Sequence, residues 1–196
     1  VVMACRSPER GQAALDELMA VPGRQLGLMR LDLADLSSVR RFADEFTAQY
    51  GRLDVLINNA GVLGRHHMLT KDGFELQLQT NYLGHFLLTM RLLPLLEAAP
   101  QGRVVMLSSI AHTWTDIHFE DINLTRDYNR MTGYGQSKLC SLLFCRYLAK
   151  QCEAKGSRVS INAAHPGIVA SDIIINRSNN MLQYIAKLSR LVLLSA

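Results

Sequence analysis

Short apolar runs rich in β-branched residues alternate with stretches of helical periodicity, and this alternation constrains the fold more than any other feature of the chain. The runs are VVMAC (1–5), LGLMRLDL (26–33), LDVLINNAG (53–61), GRVVMLSS (102–109) and RVSINAAHPG (158–167). Helical patterns cover 8–20, 36–50, 72–98 and 131–155, and an amphipathic pattern covers 178–194. Val39, Phe42, Ala43 and Phe46 repeat at the helical period, and Ser7 before Pro8 forms an N-cap with proline at the first helical position. Strands apolar on both faces, each followed by a helix, predict an α/β fold with a doubly wound parallel sheet. Ligands of such sheets sit beyond the carboxyl ends of the strands. The distinctive residues gather there: Arg6, Asp32, the 58–61 turn, Ser109 and Pro166.

The chain has 196 residues, 48% of them hydrophobic, which predicts one domain with a substantial core. A net charge of +4 comes from scattered Lys and Arg, so it predicts solvated helix faces and no nucleic-acid footprint. Cys5, Cys140, Cys145 and Cys152 form no C-x-x-C pair, and the last three share one predicted helix. Free thiols in a reducing, intracellular compartment are expected. The chain starts with Val1 inside an apolar run and stops on LVLLSA without a helix-ending signal. It is expected to be a segment of a longer protein, with no signal peptide or anchor of its own. His66 and His67 lack a Cys or carboxylate cluster beside them and read as loop residues, not metal ligands.

The stretch GYGQSK (133–138) places Tyr134 and Lys138 four residues apart, on one helix face. A phenol titrates near pH ~10, and a neighbouring ammonium lowers that value toward neutrality. Such a pair can exchange a proton with a substrate oxygen. Alone, the spacing is common. Here it follows Asn58-Asn59-Ala60-Gly61 at one strand end, Asn81 inside a helix, and Ser108-Ser109 at another strand end. His165-Pro166-Gly167 closes the next strand.

That ordered set resembles the short-chain dehydrogenase/reductase family over residues 1–171. The resemblance implies a Rossmann-type sheet and hydride transfer between a nicotinamide and a carbonyl or alcohol carbon. It implies Tyr134 as general acid/base and Lys138 as the residue that lowers its pKa and bonds the nicotinamide ribose. Ser109 would hold the substrate oxygen, and Asn81 would support a proton-relaying water behind Lys138. On the cofactor side it implies Asp32 and Leu33 at the adenine, and Asn58, Ala60 and Gly61 along the adenine ribose. Pro166, Gly167, the Val169 backbone and the Ser171 hydroxyl would face the carboxamide. Arg6 stands where an acidic residue would bind the 2′-hydroxyl of NAD, so NADP is expected. The family's glycine-rich phosphate-binding turn and its first strand, which lies mid-sheet, are not found in these residues.

The segments NYLGHFLLT, SSIAH and YGQSKL, with 25 positions from Ser109 to Tyr134, resemble the retinol dehydrogenase-like branch. That branch implies an apolar retinoid, lipid aldehyde or ketone substrate and an endoplasmic reticulum membrane location for the parent protein. Trp114, Ile117 and Phe119 in the long Ser-to-Tyr insert would then form a wall of the substrate site. Residues 178–196 would be a substrate lid, with membrane-surface contact compatible. The helices at 72–98 and 131–155 would pair subunits in a homodimer. Two rival readings remain: a catalytically inactive form acting as a binding or dimerisation partner, and a steroid or sugar-alcohol dehydrogenase with the same catalytic residues.

Overall fold

The computed structural model describes residues 1–23 and 25–167. Strands and helices alternate as expected: β1 (Val2–Cys5), α1 (Pro8–Met19), β2 (Gly27–Arg30), α2 (Leu36–Gln49) and β3 (Val55–Asn58). They continue through α3 (Leu76–Leu78), α4 (Gly84–Glu97), β4 (Arg103–Leu107), α5 (Arg130–Ala154) and β5 (Ser160–Ala164). All strand pairing is parallel, β1 with β2 and β3–β4–β5 in order. Among the described residues, the facing edges of β1 and β3 do not pair with each other or with another strand, so the sheet is in two pieces. One core still spans both pieces: Val2 and Met29 pack with Phe42, Phe46, Leu88 and Leu92 of α2 and α4.

Local chemistry sets the helix starts. Ser7 Oγ accepts the Arg10 N–H, and Pro8 follows it. Asp35 accepts from both Ser37 and Ser38 N–H groups. Burial opposes its charge, but hydrogen bonds from Lys71, Ser37 and Ser38 outweigh that and hold its carboxyl well below the usual range. α5 starts at Asn129, whose Oδ1 accepts from Met131 N. Its inner face, Phe144, Cys145, Leu148 and Cys152, packs on Val104 and Met106 of β4. Burial pushes the Cys140 and Cys145 thiols up to about 11, which leaves them protonated and inert.

The helix expected over 72–98 is not continuous. Thr70 N bonds Phe74 O, Gly73 turns with φ 83°, and Leu69 pairs with Glu75, so the chain is a tight turn there. Glu75 then caps α3 through Leu78 N at 2.7 Å. A π-helical turn at Gln79–Leu83 follows before α4 begins. The 178–196 segment, Val169 and Ser171 lie outside the described residues. Among the described residues, no helix is long and apolar enough to cross a membrane.

Candidate active site

Tyr134 and Lys138 project from the first turns of α5 toward the carboxyl end of β4. Two glycines make that approach possible. A Cβ on Gly133 would lie 2.7 Å from Gln77 Nε2, and one on Gly135 would lie 2.7 Å from the Ala111 carbonyl oxygen. The helix therefore sits against both neighbours with Tyr134 between them. Ser109, the residue after β4 and Ser108, starts a 3₁₀ turn at Ile110–Thr113 and accepts Ala111 N at 3.3 Å. Its side chain also hydrogen-bonds Tyr134. Ser108 points the other way and donates to the Lys138 carbonyl at 3.2 Å, fully inside the protein. The alternation of the strand separates these adjacent serines.

Lys138 is buried, with Nζ donating to Leu107 O at 2.8 Å and standing 5.6 Å from the Tyr134 ring centroid. Burial holds its pKa down at about 8. Tyr134 departs from expectation. Burial raises its pKa, and only the Ser109 hydrogen bond acts to lower it. The ammonium is committed to a carbonyl, so the expected pull of Lys138 on the phenol does not prevail in this geometry. A neutral Tyr134 at physiological pH is a proton donor.

Asn81 sits in the π-helical turn, a feature that often marks functional sites because it re-aims side chains. Its carboxamide accepts from Val62 N at 2.7 Å and donates to Val62 O and Ser137 Oγ, both at 3.0 Å. One side chain thus ties the chain after the Asn58–Gly61 turn to α5. The Asn81 carbonyl receives a hydrogen bond from Ser141 Oγ at 3.2 Å.

Arg6, Asp32, Leu33, Asn58, Ala60 and Gly61 line one cleft of about 810 Å³, between β1 and β3. Asn81 and Lys138 adjoin it: a Cβ on Gly61 would meet Asn81 Oδ1 at 3.3 Å and Lys138 Nζ at 3.6 Å. Asp32 Oδ1 accepts Ala34 N at 2.9 Å, so one carboxylate oxygen serves a local turn. Asn58 is buried between Thr89 and His85. Pro166 and Gly167 follow β5 in exposed chain, with Gly167 at φ 74°. Much of the lining is apolar, with Val2, Leu31, Phe42, Leu53 and Leu56 facing the gap and Arg6 and Asp32 among its charged residues.

Several residues escape a pattern-based reading. Gln136 is fully buried, accepts His118 N at 2.9 Å and donates to Ile122 O at 3.0 Å, so it anchors the insert to α5. Gln77 holds Tyr128 and the Arg130 carbonyl from the facing helix. Polar residues at apolar-face positions of a helix are the available signal for both. Trp114 and Phe119 of the insert are 55% and 81% exposed. His67 bonds the Asn123 carbonyl and packs edge-on to Tyr128, a structural role.

A family model for short chain dehydrogenases matches residues 1–182. The chain belongs to that family. Human retinol dehydrogenase 13 is 42% identical over 175 residues, covering 88% of this chain and 52% of the relative. Mouse retinol dehydrogenase 12 is 44% identical over 177 residues, covering 90% of this chain and 55% of the relative. The chain is thus retinol dehydrogenase-like and spans about half the length of the curated relatives it matches. A crystal structure of an uncharacterized Mycobacterium paratuberculosis protein is 44% identical with a TM-score of 0.76, covering 88% of this chain and 60% of that one. A short chain dehydrogenase from Shigella flexneri, complexed with NADP, has a TM-score of 0.72 at 22% identity, covering 94% of this chain and 73% of that one. At that identity the likeness bears on fold alone.

Proposed function

We propose that the chain carries the catalytic residues of an NADP-dependent oxidoreductase acting on an apolar retinoid or lipid aldehyde, ketone or alcohol. The observation that supports it is the meeting of Ser109, Tyr134, Lys138 and Asn81 beside a cleft lined by Arg6, Asp32, Leu33 and Gly61. The bound nicotinamide would supply or accept hydride. Ser109 orients the substrate oxygen, and Tyr134 passes it a proton. Lys138 holds its ammonium at the β4 carboxyl end, ready for the nicotinamide ribose. Asn81 keeps the cofactor turn and α5 in register. Arg6 would take the 2′-phosphate, with Asp32, Leu33, Asn58, Ala60 and Gly61 along the adenosine. Pro166, Gly167, Val169 and Ser171 would face the carboxamide, and 178–196 would close over the substrate. The names of the relatives support the retinoid class.

The test is NADPH consumption with retinaldehyde, a steroid ketone and a sugar as substrates, beside Tyr134→Phe. Turnover of retinaldehyde that the variant lacks supports the reading; equal turnover by the variant removes Tyr134 as proton donor. A second reading is a non-catalytic binding partner, which the unpaired edges of β1 and β3 among the described residues favour. It predicts no turnover alone, and association with a full-length relative. Exposed Phe86, Met90, Leu143 and Tyr147 on α4 and α5 suit such pairing, including a homodimer.

A further inference from the structure

His85 sits in the first turn of α4 with 3% of its surface exposed, and no proton-transfer step above uses it. Its Nε2 lies 2.8 Å from the Ala60 carbonyl oxygen. Its Nδ1 lies 3.1 Å from the Asn58 side-chain oxygen, and the Asn58 amide nitrogen lies 2.8 Å from Thr89 Oγ1. With the amide in that sense, both ring nitrogens face oxygen, an arrangement only an imidazolium satisfies. An imidazolium is disfavoured here. The ring is buried and feels the positive charge of Lys138, and burial followed by that charge holds the His85 pKa at about 4 despite the Ala60 bond.

A neutral ring has one donor and one acceptor. The Ala60 carbonyl can only accept, so the proton belongs on Nε2. Nδ1 then needs a donor, and the Asn58 amide supplies it when its NH₂ faces the ring. The Asn58 oxygen then turns to Thr89, whose hydroxyl can donate. Every buried polar atom in the chain Thr89–Asn58–His85–Ala60 is satisfied, and the bonds all run one way.

We propose that His85 is a positioning residue: as the neutral Nε2–H tautomer, it takes a hydrogen bond from Asn58 and donates one to Ala60, fixing the Asn58–Gly61 turn against Lys138. The turn adjoins both side chains, since a Cβ on Gly61 would stand 3.3 Å from Asn81 Oδ1 and 3.6 Å from Lys138 Nζ. A shift of the Ala60 carbonyl therefore reaches both the cleft lining and the catalytic ammonium. The proposal rests on the reading of that cleft as a dinucleotide site.

The test uses the 196-residue chain with ¹⁵N-labelled histidine. The long-range ¹H–¹⁵N spectrum at neutral pH should show His85 protonated at Nε2 alone; an imidazolium or an Nδ1–H ring overturns the assignment. Amide exchange at Ala60 and Gly61 and NADPH affinity are then compared in His85→Gln and His85→Leu. The Gln amide can still donate to Ala60, so affinity should stay within about threefold of the parent. Leu fills the space without a donor, so turn exchange should quicken and NADPH bind about tenfold more weakly. Leu and parent alike in both readouts, with both folded, would show that His85 only fills space. Failure of the parent chain to bind NADPH would count against the cleft reading, while the tautomer and exchange data still decide the role of His85 in the turn.

Discussion

The ammonium of Lys138 rests on the carbonyl of Leu107, 2.8 Å away at the end of β4, inside a protein that leaves only 4% of the residue exposed. Its folded pKa of about 8 lies below the ~10.4 of an exposed lysine. Below pH ~8 both folded and unfolded chains carry the charge, and the folded one bears the full desolvation penalty, on the order of 3 kcal/mol. Lys138→Met removes that penalty and the Leu107 hydrogen bond together. The variant should gain on the order of 1 kcal/mol at pH 7 and lose all turnover. As pH rises from about 8 toward ~10.4, the parent sheds protons on folding and the gap should close. Thermal melts at pH 7 and pH 9.5 measure both parts; a parent more stable than the variant at pH 7 would contradict the burial argument.

Tyr134 is held in its protonated form by burial, with Ser109 as its hydrogen-bond partner. Tyr134→Phe should lower carbonyl reduction by ~10²–10⁴-fold while NADPH affinity changes by less than about threefold. Ser109→Ala leaves the phenol without its partner, so its pKa should rise further. Reduction should then weaken through both kcat and KM, because the substrate oxygen also loses a donor. Steady-state kinetics on the two variants, beside fluorescence titration of NADPH, separates proton transfer from binding.

The four-residue spacing of Tyr134 and Lys138 placed them on one face, because helical geometry is local. It could not indicate that Lys138 reaches the Leu107 carbonyl, since that contact joins α5 to the end of β4. The resulting reversal of the Tyr134 shift follows from burial, which is a tertiary property. Likewise the alternation of strands and helices was legible from periodicity. The break at 70–83 was not, because Glu75, Gln77 and Gln79 look like solvated helix positions and are instead buried partners of the insert and of neighbouring loops. Adjacent Ser108 and Ser109 part company by backbone alternation, Ser109 toward Tyr134 and Ser108 toward the Lys138 carbonyl. The roles of Val169 and Ser171 lie outside the described residues.

Gly135 offers a test of how tightly α5 is seated. A Cβ there would lie 2.7 Å from the Ala111 carbonyl oxygen and 2.9 Å from Thr115 Cγ2. Backbone cannot yield as a flexible side chain does, so Gly135→Ala should cost ~1–3 kcal/mol and displace the turn that carries Ser109. Gly51→Ala is the control, since nothing lies within 4 Å of its added Cβ. That change should stay within about 0.5 kcal/mol. Urea denaturation of the two variants gives the comparison, and equal costs would mean α5 is more loosely packed than its glycines indicate.

Arg6 lines the cleft with Asp32 and is exposed at the end of β1. A guanidinium there favours a phosphate over a hydroxyl, both by charge and by paired donors. Arg6→Glu should weaken NADPH by ~10–100-fold and leave NADH within about threefold. An unchanged ratio of the two affinities would assign the 2′-phosphate to another cation.

The buried imidazole of His85 also leaves a mark on acid stability. An exposed histidine takes up a proton near pH ~6.5, whereas folded His85 resists until about 4. Between these values the unfolded chain binds the extra proton, so stability should fall as pH drops from ~6.5 to about 4, by up to about 3 kcal/mol. Asp35 acts in the same direction but lower on the scale. Its carboxyl is held down in the folded state, and its contribution is lost only once the unfolded carboxylate protonates, below pH ~3.9. The two groups therefore separate by window. His85→Gln should flatten the loss above pH 4 and leave the steeper loss below it, whereas Asp35→Asn should do the reverse and also weaken the start of α2. Denaturant melts at half-unit steps from pH 7 to 3 read both windows, and an undiminished loss above pH 4 in His85→Gln would place the responsible proton on another group.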